Sequence, residues 1–177
     1  WIGSYEGLLR FDRALDKVVH SGFDFVSKNV MVINEFDDGV LSVGLWDGGI
    51  ADLDLTTEKI KTTKFDDNRV YSYIKTEDGT RWVGTWGGGL FAITDSGKHY
   101  HFQSDEGINS LSHQIVYSMM QDESGILWIG TNGGGINKVN PLKRNYVAFK
   151  HDSNNPESLD AGKVNRSEEH TSELQSL

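Results

Sequence analysis

Residues 126–136 read Ile126-Leu127-Trp128-Ile129-Gly130-Thr131-Asn132-Gly133-Gly134-Gly135-Ile136. Two apolar runs flank a turn of Asn and three glycines. Such turns need φ > 0, which glycine adopts without steric cost, so the stretch predicts strand, tight hairpin, strand. The same order recurs upstream at Arg81-Trp82-Val83-Gly84-Thr85-Trp86-Gly87-Gly88-Gly89-Leu90, at Ser42-Val43-Gly44-Leu45-Trp46 and at Trp1-Ile2-Gly3-Ser4-Tyr5. The third-position glycines Gly3, Gly44, Gly84 and Gly130 are 41, 40 and 46 residues apart.

A second element precedes the last three copies: an apolar stretch ending in an acidic turn, at 30–39, 70–79 and 115–125. In each, the turn glycine (Gly39, Gly79, Gly125) stands three residues before the Trp position. One period therefore predicts strands over 70–76, 80–85, 90–94 and 98–103. Four strands in about 40 residues make one blade of a β-propeller. A β-sandwich would share the turn spacing but not the self-similarity. Consecutive apolar residues in the first strand (Val30-Met31-Val32-Ile33) suit an inner strand buried on both sides, and the polar fourth strand (Lys59-Ile60-Lys61-Thr62-Thr63-Lys64) suits the outer edge.

The expected architecture is all-β, an incomplete propeller of about four blades of four-stranded antiparallel sheets. It divides into a partial blade at 1–28, blades at 29–68, 69–112 and 113–157, and the start of a further blade at 158–165. Leu159 and Val164 repeat Leu111 and Val116, so Lys163-Val164-Asn165 is expected to open another inner strand. Residues 166–177 read RSEEHTSELQSL and lack both alternation and turn glycines. Residues 166–176 resemble a translated sequencing adapter and are expected to be a non-native tail. Because the chain opens on Trp1 inside a repeated motif, both ends are expected to be cuts in a longer protein.

At these motifs the chain resembles the two-component regulator propeller repeat: a strand, an acidic turn with Gly, then Leu-Trp-Ile-Gly-Thr, two residues, Gly-Gly and an apolar strand. Residues 126–136 match nearly throughout and residues 81–90 almost as closely, whereas Ser42 replaces Trp and Tyr5-Glu6-Gly7 is one residue short. The link 149–159 resembles the connection between blades in that family, and Asn109-Ser110-Leu111-Ser112 repeats its end. The resemblance implies the periplasmic or extracytoplasmic sensor region of an inner-membrane hybrid histidine kinase that detects oligosaccharides. It also implies that the remaining blades lie in the same parent chain and that the parent receptor is a dimer.

Composition narrows the function classes. A net charge of −9 without a basic stripe argues against nucleic acid and favours an uncharged or cationic ligand. The absence of Cys removes disulfides, thiolate metal sites and cysteine nucleophiles. Apolar runs such as Val30 to Ile33 are far shorter than the roughly 20 residues of a membrane helix. Neither Gly87-Gly88-Gly89 nor Gly133-Gly134-Gly135 is followed by Lys-Ser or Lys-Thr, so both read as hairpins rather than phosphate cradles. His99 and His101 alternate on one strand without a third ligand at matching spacing, and no metal is expected there. The pairs Asp37-Asp38, Asp66-Asp67 and Glu77-Asp78 fall in turns, where Asp bonds its own backbone. No catalytic motif and no cofactor motif is present, so the segment is not expected to be an enzyme.

The aromatic residues fall into two classes. Trp1, Trp82 and Trp128 head the second strand and are expected to pack between blades. Tyr5, Trp46 and Trp86 lie beside the second hairpin, which the repeat brings to one propeller face in every blade, and Asn132 takes the same place in the last copy. Two readings stand open for this row: rings that cap hairpins and fill gaps between blades, or an arc that stacks on the apolar C–H faces of sugars. Two functions follow in parallel, a ligand-sensing propeller and a protein-interaction scaffold without a small-molecule site.

Overall fold

The computed structural model describes residues 1–105, 110–141, 145–159 and 162. The expected opening strand at 163–165 and the tail at 166–177 lie outside the described residues. Fifteen strands and no helix are found among the described residues. They form β1 (Ile2–Ser4), β2 (Gly7–Asp12) and β3 (Lys17–His20); β4 (Val30–Asp37), β5 (Val40–Leu45), β6 (Gly49–Asp54) and β7 (Ile60–Thr63); β8 (Val70–Lys75), β9 (Arg81–Thr85), β10 (Leu90–Ile93) and β11 (His99–Phe102); and β12 (Val116–Gln121), β13 (Leu127–Thr131), β14 (Ile136–Asn140) and β15 (Asn145–Phe149).

Each group is one antiparallel meander in chain order, three-stranded for β1–β3 and four-stranded for the others. This is the all-β, bladed architecture expected from the repeat. By motif, β1 corresponds to the second strands β5, β9 and β13. The first strands β4, β8 and β12 lie side by side, which orders the blades around an inner side. Hairpin geometry follows the glycines: Gly89 and Gly135 sit at φ 82° and 78°, and each carbonyl accepts the N–H of the Thr four residues earlier. These two glycine runs are hairpin turns.

Alternation sends the two faces of each sheet to different neighbours. From β9, Val83 joins Ile50, Val70, Tyr73 and Phe91 in a seam with the preceding blade. Trp82 on the opposite face joins Leu90, Val116, Leu127, Ile129 and Val139 in the seam with the following one. A third apolar seam, built on Leu8, Leu41, Val43 and Leu53, joins β1–β3 to β4–β7.

The repeated glycine makes these seams possible. A Cβ at Gly3 would stand 2.8 Å from Val30 Cγ1, one at Gly44 2.7 Å from Val70 Cγ1, and one at Gly84 2.5 Å from Val116 Cγ1. In each case the valine that opens the next blade rests directly on the bare backbone of the second strand.

Where Ser42 replaces Trp, the seam is filled differently. Ser42 Oγ donates to Asp52 Oδ1 at 2.6 Å, and Arg81 from the following blade pairs with Asp52 Oδ2 at 2.9 Å. Polar partners thus occupy the level at which Trp82 fills the next seam. The ion pair is partly buried and its carboxylate also accepts the Ser42 hydroxyl, so it replaces a large ring without leaving an unpaired charge.

Gly84 lies outside the positive-φ region, so its requirement is for space alone. Gly84→Ala is therefore expected to lower stability by about 1–3 kcal/mol through overpacking, measured as a fall in the urea midpoint. Gly97→Ala, with nothing within 4 Å of the added carbon but a φ of 78°, probes backbone strain without a seam.

Candidate functional site

The row of hairpin residues is held by a repeated hydrogen bond. The backbone N–H groups of Trp46, Trp86 and Asn132 donate to the carbonyls of Asn29, Arg69 and Ile115, each just before the first strand of its own blade, at 2.9, 3.0 and 3.1 Å. A second bond crosses the seam: the N–H groups of Gly49 and Gly89 donate to the carbonyls of Asn68 and Gln114 in the following link, at 3.0 and 2.9 Å. The hairpins of Trp46 and Trp86 are thus tied on both sides.

The first strands contribute a feature that the alternation pattern hides. Pairing of β4 with β5 slips between Val30 and Val32, of β8 with β9 between Val70 and Ser72, and of β12 with β13 between Val116 and Ser118. The extra residue is Met31, Tyr71 or Tyr117. A bulge re-aims its side chain and recurs beside functional sites. Here it brings these residues to the hairpin row.

The outcome is a contiguous aromatic shelf. The Trp46 and Trp86 rings lie 5.4 Å apart at 58°, Tyr71 is 5.3 Å from Trp86, and Tyr117 lies edge-on to both Tyr71 (5.1 Å) and Trp86 (5.6 Å). Offset and edge-to-face contacts of this kind are favoured by the ring quadrupoles. Beside the shelf opens a cleft of about 310 Å³ lined by Tyr5, Asn29, Met31, Trp46, Tyr71 and Trp86. Tyr5, 81% exposed, forms part of its wall.

Of the four sequence-nominated residues, Tyr5, Trp46 and Trp86 meet at this cleft. Asn132 keeps the equivalent hairpin position in the last blade, half-buried, and does not line it. Met31, Tyr71 and Tyr117 were not nominated. Their signal is that a bulky residue follows the strand-opening valine in all three copies.

The strand-heading tryptophans divide. Trp82 is 4% exposed, stacks on Phe102 at 5.8 Å and donates its indole N–H to Thr76 Oγ1 at 3.2 Å. Trp128 is only half-buried, with Phe149 stacked at 6.2 Å and Lys138 Nζ 5.2 Å from its ring, and Trp1 is 43% exposed. The expectation of inter-blade packing holds for Trp82. Trp128 faces the other side of its sheet from the seam residues Leu127 and Ile129, where no described blade covers it.

Other candidate side chains find partners within the fold. His101 stacks on Phe91 at 4.0 Å and bonds the Gly88 carbonyl through Nε2 at 2.6 Å. Among the described residues no group of three or more His, Cys, Asp or Glu is arranged to hold a metal ion. Asp122 accepts the Trp128 indole N–H at 2.7 Å, the Ser124 hydroxyl and the N–H groups of Ser124 and Ile126. Asp78 accepts the Thr76 hydroxyl and both the N–H and hydroxyl of Thr80. Burial pushes both carboxyls up, and these hydrogen bonds outweigh it, so both titrate below the ordinary value of 3.8.

A depressed folded value stabilises the fold above the unfolded value and is lost as pH falls through the folded one. Melting temperature is therefore expected to drop below about pH 4. The double variant Asp78→Asn, Asp122→Asn is expected to be less stable at pH 7 and flatter across the acid range, in melts followed by near-UV circular dichroism.

Solved structures share this fold. No curated protein sequence matches the chain. A solved extracellular domain assigned to the hybrid two component system BT3049 of B. thetaiotaomicron superposes with a TM-score of 0.73 at 23% identity, covering 92% of this chain and 21% of that one. The corresponding domain of BT4673 from the same organism gives 0.70 at 21% identity, with 89% and 21% covered. Virginiamycin B lyase of Staphylococcus aureus gives 0.62 at 18% identity, with 84% and 50% covered. The chain thus spans about a fifth of the first two structures, and the likeness establishes the fold. Residues 110–133, which run from the inter-blade link through the bulged first strand to the Trp128 motif and its hairpin, match the two component regulator propeller model, and the chain carries a repeat of that family.

Proposed function

We propose that the chain is part of the extracytoplasmic ligand-sensing propeller of a two-component receptor, and that its aromatic shelf binds an oligosaccharide. The observation that carries this reading is the triple bulge. Three successive blades depart from regular pairing at the same position and turn a bulky residue toward the hairpin row. Ring-capping of hairpins alone would not require that departure.

Sugar rings present apolar C–H faces and hydroxyl edges. Trp46, Trp86 and Tyr71 offer flat apolar surface, while Asn29 and Tyr5 place polar groups at the same cleft. Its volume of about 310 Å³ lies at the small end of ligand pockets, which begin near 300 Å³. Binding rather than catalysis is the role proposed.

The output follows from how the blades are joined. Trp46 and Trp86 belong to different blades and meet across their seam, as do Trp86 and Tyr117. A ligand on the shelf therefore bridges seams and favours one inter-blade arrangement over others, which is the differential affinity that a signalling shift requires. In the parent receptor this bias would reach a histidine kinase output across a dimer.

The test pairs two tryptophans. Trp86→Ala is expected to weaken oligosaccharide binding about tenfold or more, with a modest loss of stability because its ring packs on three others. Trp82→Ala is expected to cost about 3–5 kcal/mol of stability and to leave affinity of the folded fraction nearly unchanged. Calorimetric titration of an oligosaccharide library, alongside melting curves, separates the two. Unchanged glycan affinity in Trp86→Ala would favour the protein-interaction scaffold.

A further inference from the structure

The cleft adjoins a shallow groove of about 520 Å³ on the side of Asp47, which follows Trp46, and Gly87, which follows Trp86. Asp47, Asp66, Asp67, Arg69 and His101 lie along it. Among the described residues Arg69 is the only guanidinium lining either cavity, and it is paired. Its Nε donates to Asp67 Oδ1 at 2.9 Å and its Nη2 to Asp67 Oδ2 at 2.8 Å, a bidentate fork. The same Oδ1 accepts the Arg69 backbone N–H at 2.9 Å. The guanidinium also lies against the hairpin that carries Trp86, since a Cβ at Gly87 would stand 2.8 Å from Nη2.

This fork occupies one edge of the guanidinium and sets a full carboxylate charge against it. Asp47 and Asp66 lie outside that fork. Among the described residues Asp66 pairs only with His101 Nδ1, at 3.8 Å, and its side chain is 89% exposed. Arg69 feels Asp47 as an additional nearby negative charge. The groove beside the cleft thus presents three carboxylates and one cation that is already paired.

We propose that the cleft selects uncharged glycans and rejects those bearing carboxylate or sulfate groups. Asp67 is the specificity-determining residue, because its charge offsets that of Arg69, while Asp47 and Asp66 repel anionic ligands. This rests on the shelf binding oligosaccharides.

The experiment titrates the whole chain with neutral gluco-, manno- and xylo-oligosaccharides and with oligogalacturonates and sulfated oligosaccharides, followed by tryptophan fluorescence at low ionic strength and at about 0.15 M salt. The wild-type chain is expected to bind one or more neutral ligands and to bind the anionic ones at least about tenfold more weakly, a gap that narrows with salt. Asp67→Asn keeps a carbonyl oxygen for the Arg69 N–H and frees the guanidinium. It is expected to raise oligogalacturonate affinity about tenfold while leaving neutral binding near wild type. The exposed pair Asp47→Asn, Asp66→Asn, which leaves the Arg69 fork intact, is expected to give a smaller gain in the same direction.

Anionic ligands that bind the wild type as tightly as neutral ones, or no gain in either variant, would overturn the proposal and leave the shelf reading in place. If neither panel binds the wild type or the variants, both fall together.

Discussion

The contact between a bare glycine and the next blade's valine is the constraint on which the rest of this structure depends. Gly3 meets Val30, Gly44 meets Val70 and Gly84 meets Val116. Each contact brings the backbone of one sheet against the opening side chain of the next. The seams on either side of the glycine are then closed by whatever fits, Trp82 in one and the Ser42–Asp52–Arg81 network in another. A protein interior tolerates such exchange when volume and polarity are both compensated.

The same contact places the site. Next to the valine seated on the glycine stands the bulge that carries Met31, Tyr71 or Tyr117. The hairpin two residues beyond the glycine then reaches the same level. Blade packing repeats the position, and residue choice makes it aromatic at Trp46, Tyr71, Trp86 and Tyr117.

Strands and turns were legible because glycine has few conformational substitutes and because the Trp-x-Gly motif recurs at nearly constant spacing. Tyr5, Trp46 and Trp86 were legible for the same reason. Tyr71 and Tyr117 were not, because a bulge breaks the two-residue period by which side chains are assigned to faces. Ser42 read as a weakened copy, yet its compensation was split between Asp52 on a neighbouring strand and Arg81 in another blade. Trp128 shows the converse. Its motif matches that of Trp82, but burial depends on a neighbouring surface rather than on the motif.

The paired indoles of the shelf carry one further consequence. Trp46 and Trp86 belong to successive blades, and their rings lie 5.4 Å apart at 58°. Two strong chromophores at that distance and inclined to one another couple their transitions, and the coupling changes with both separation and angle. The shelf is therefore a gauge of blade spacing built from natural residues, readable as an exciton couplet in circular dichroism without any attached label.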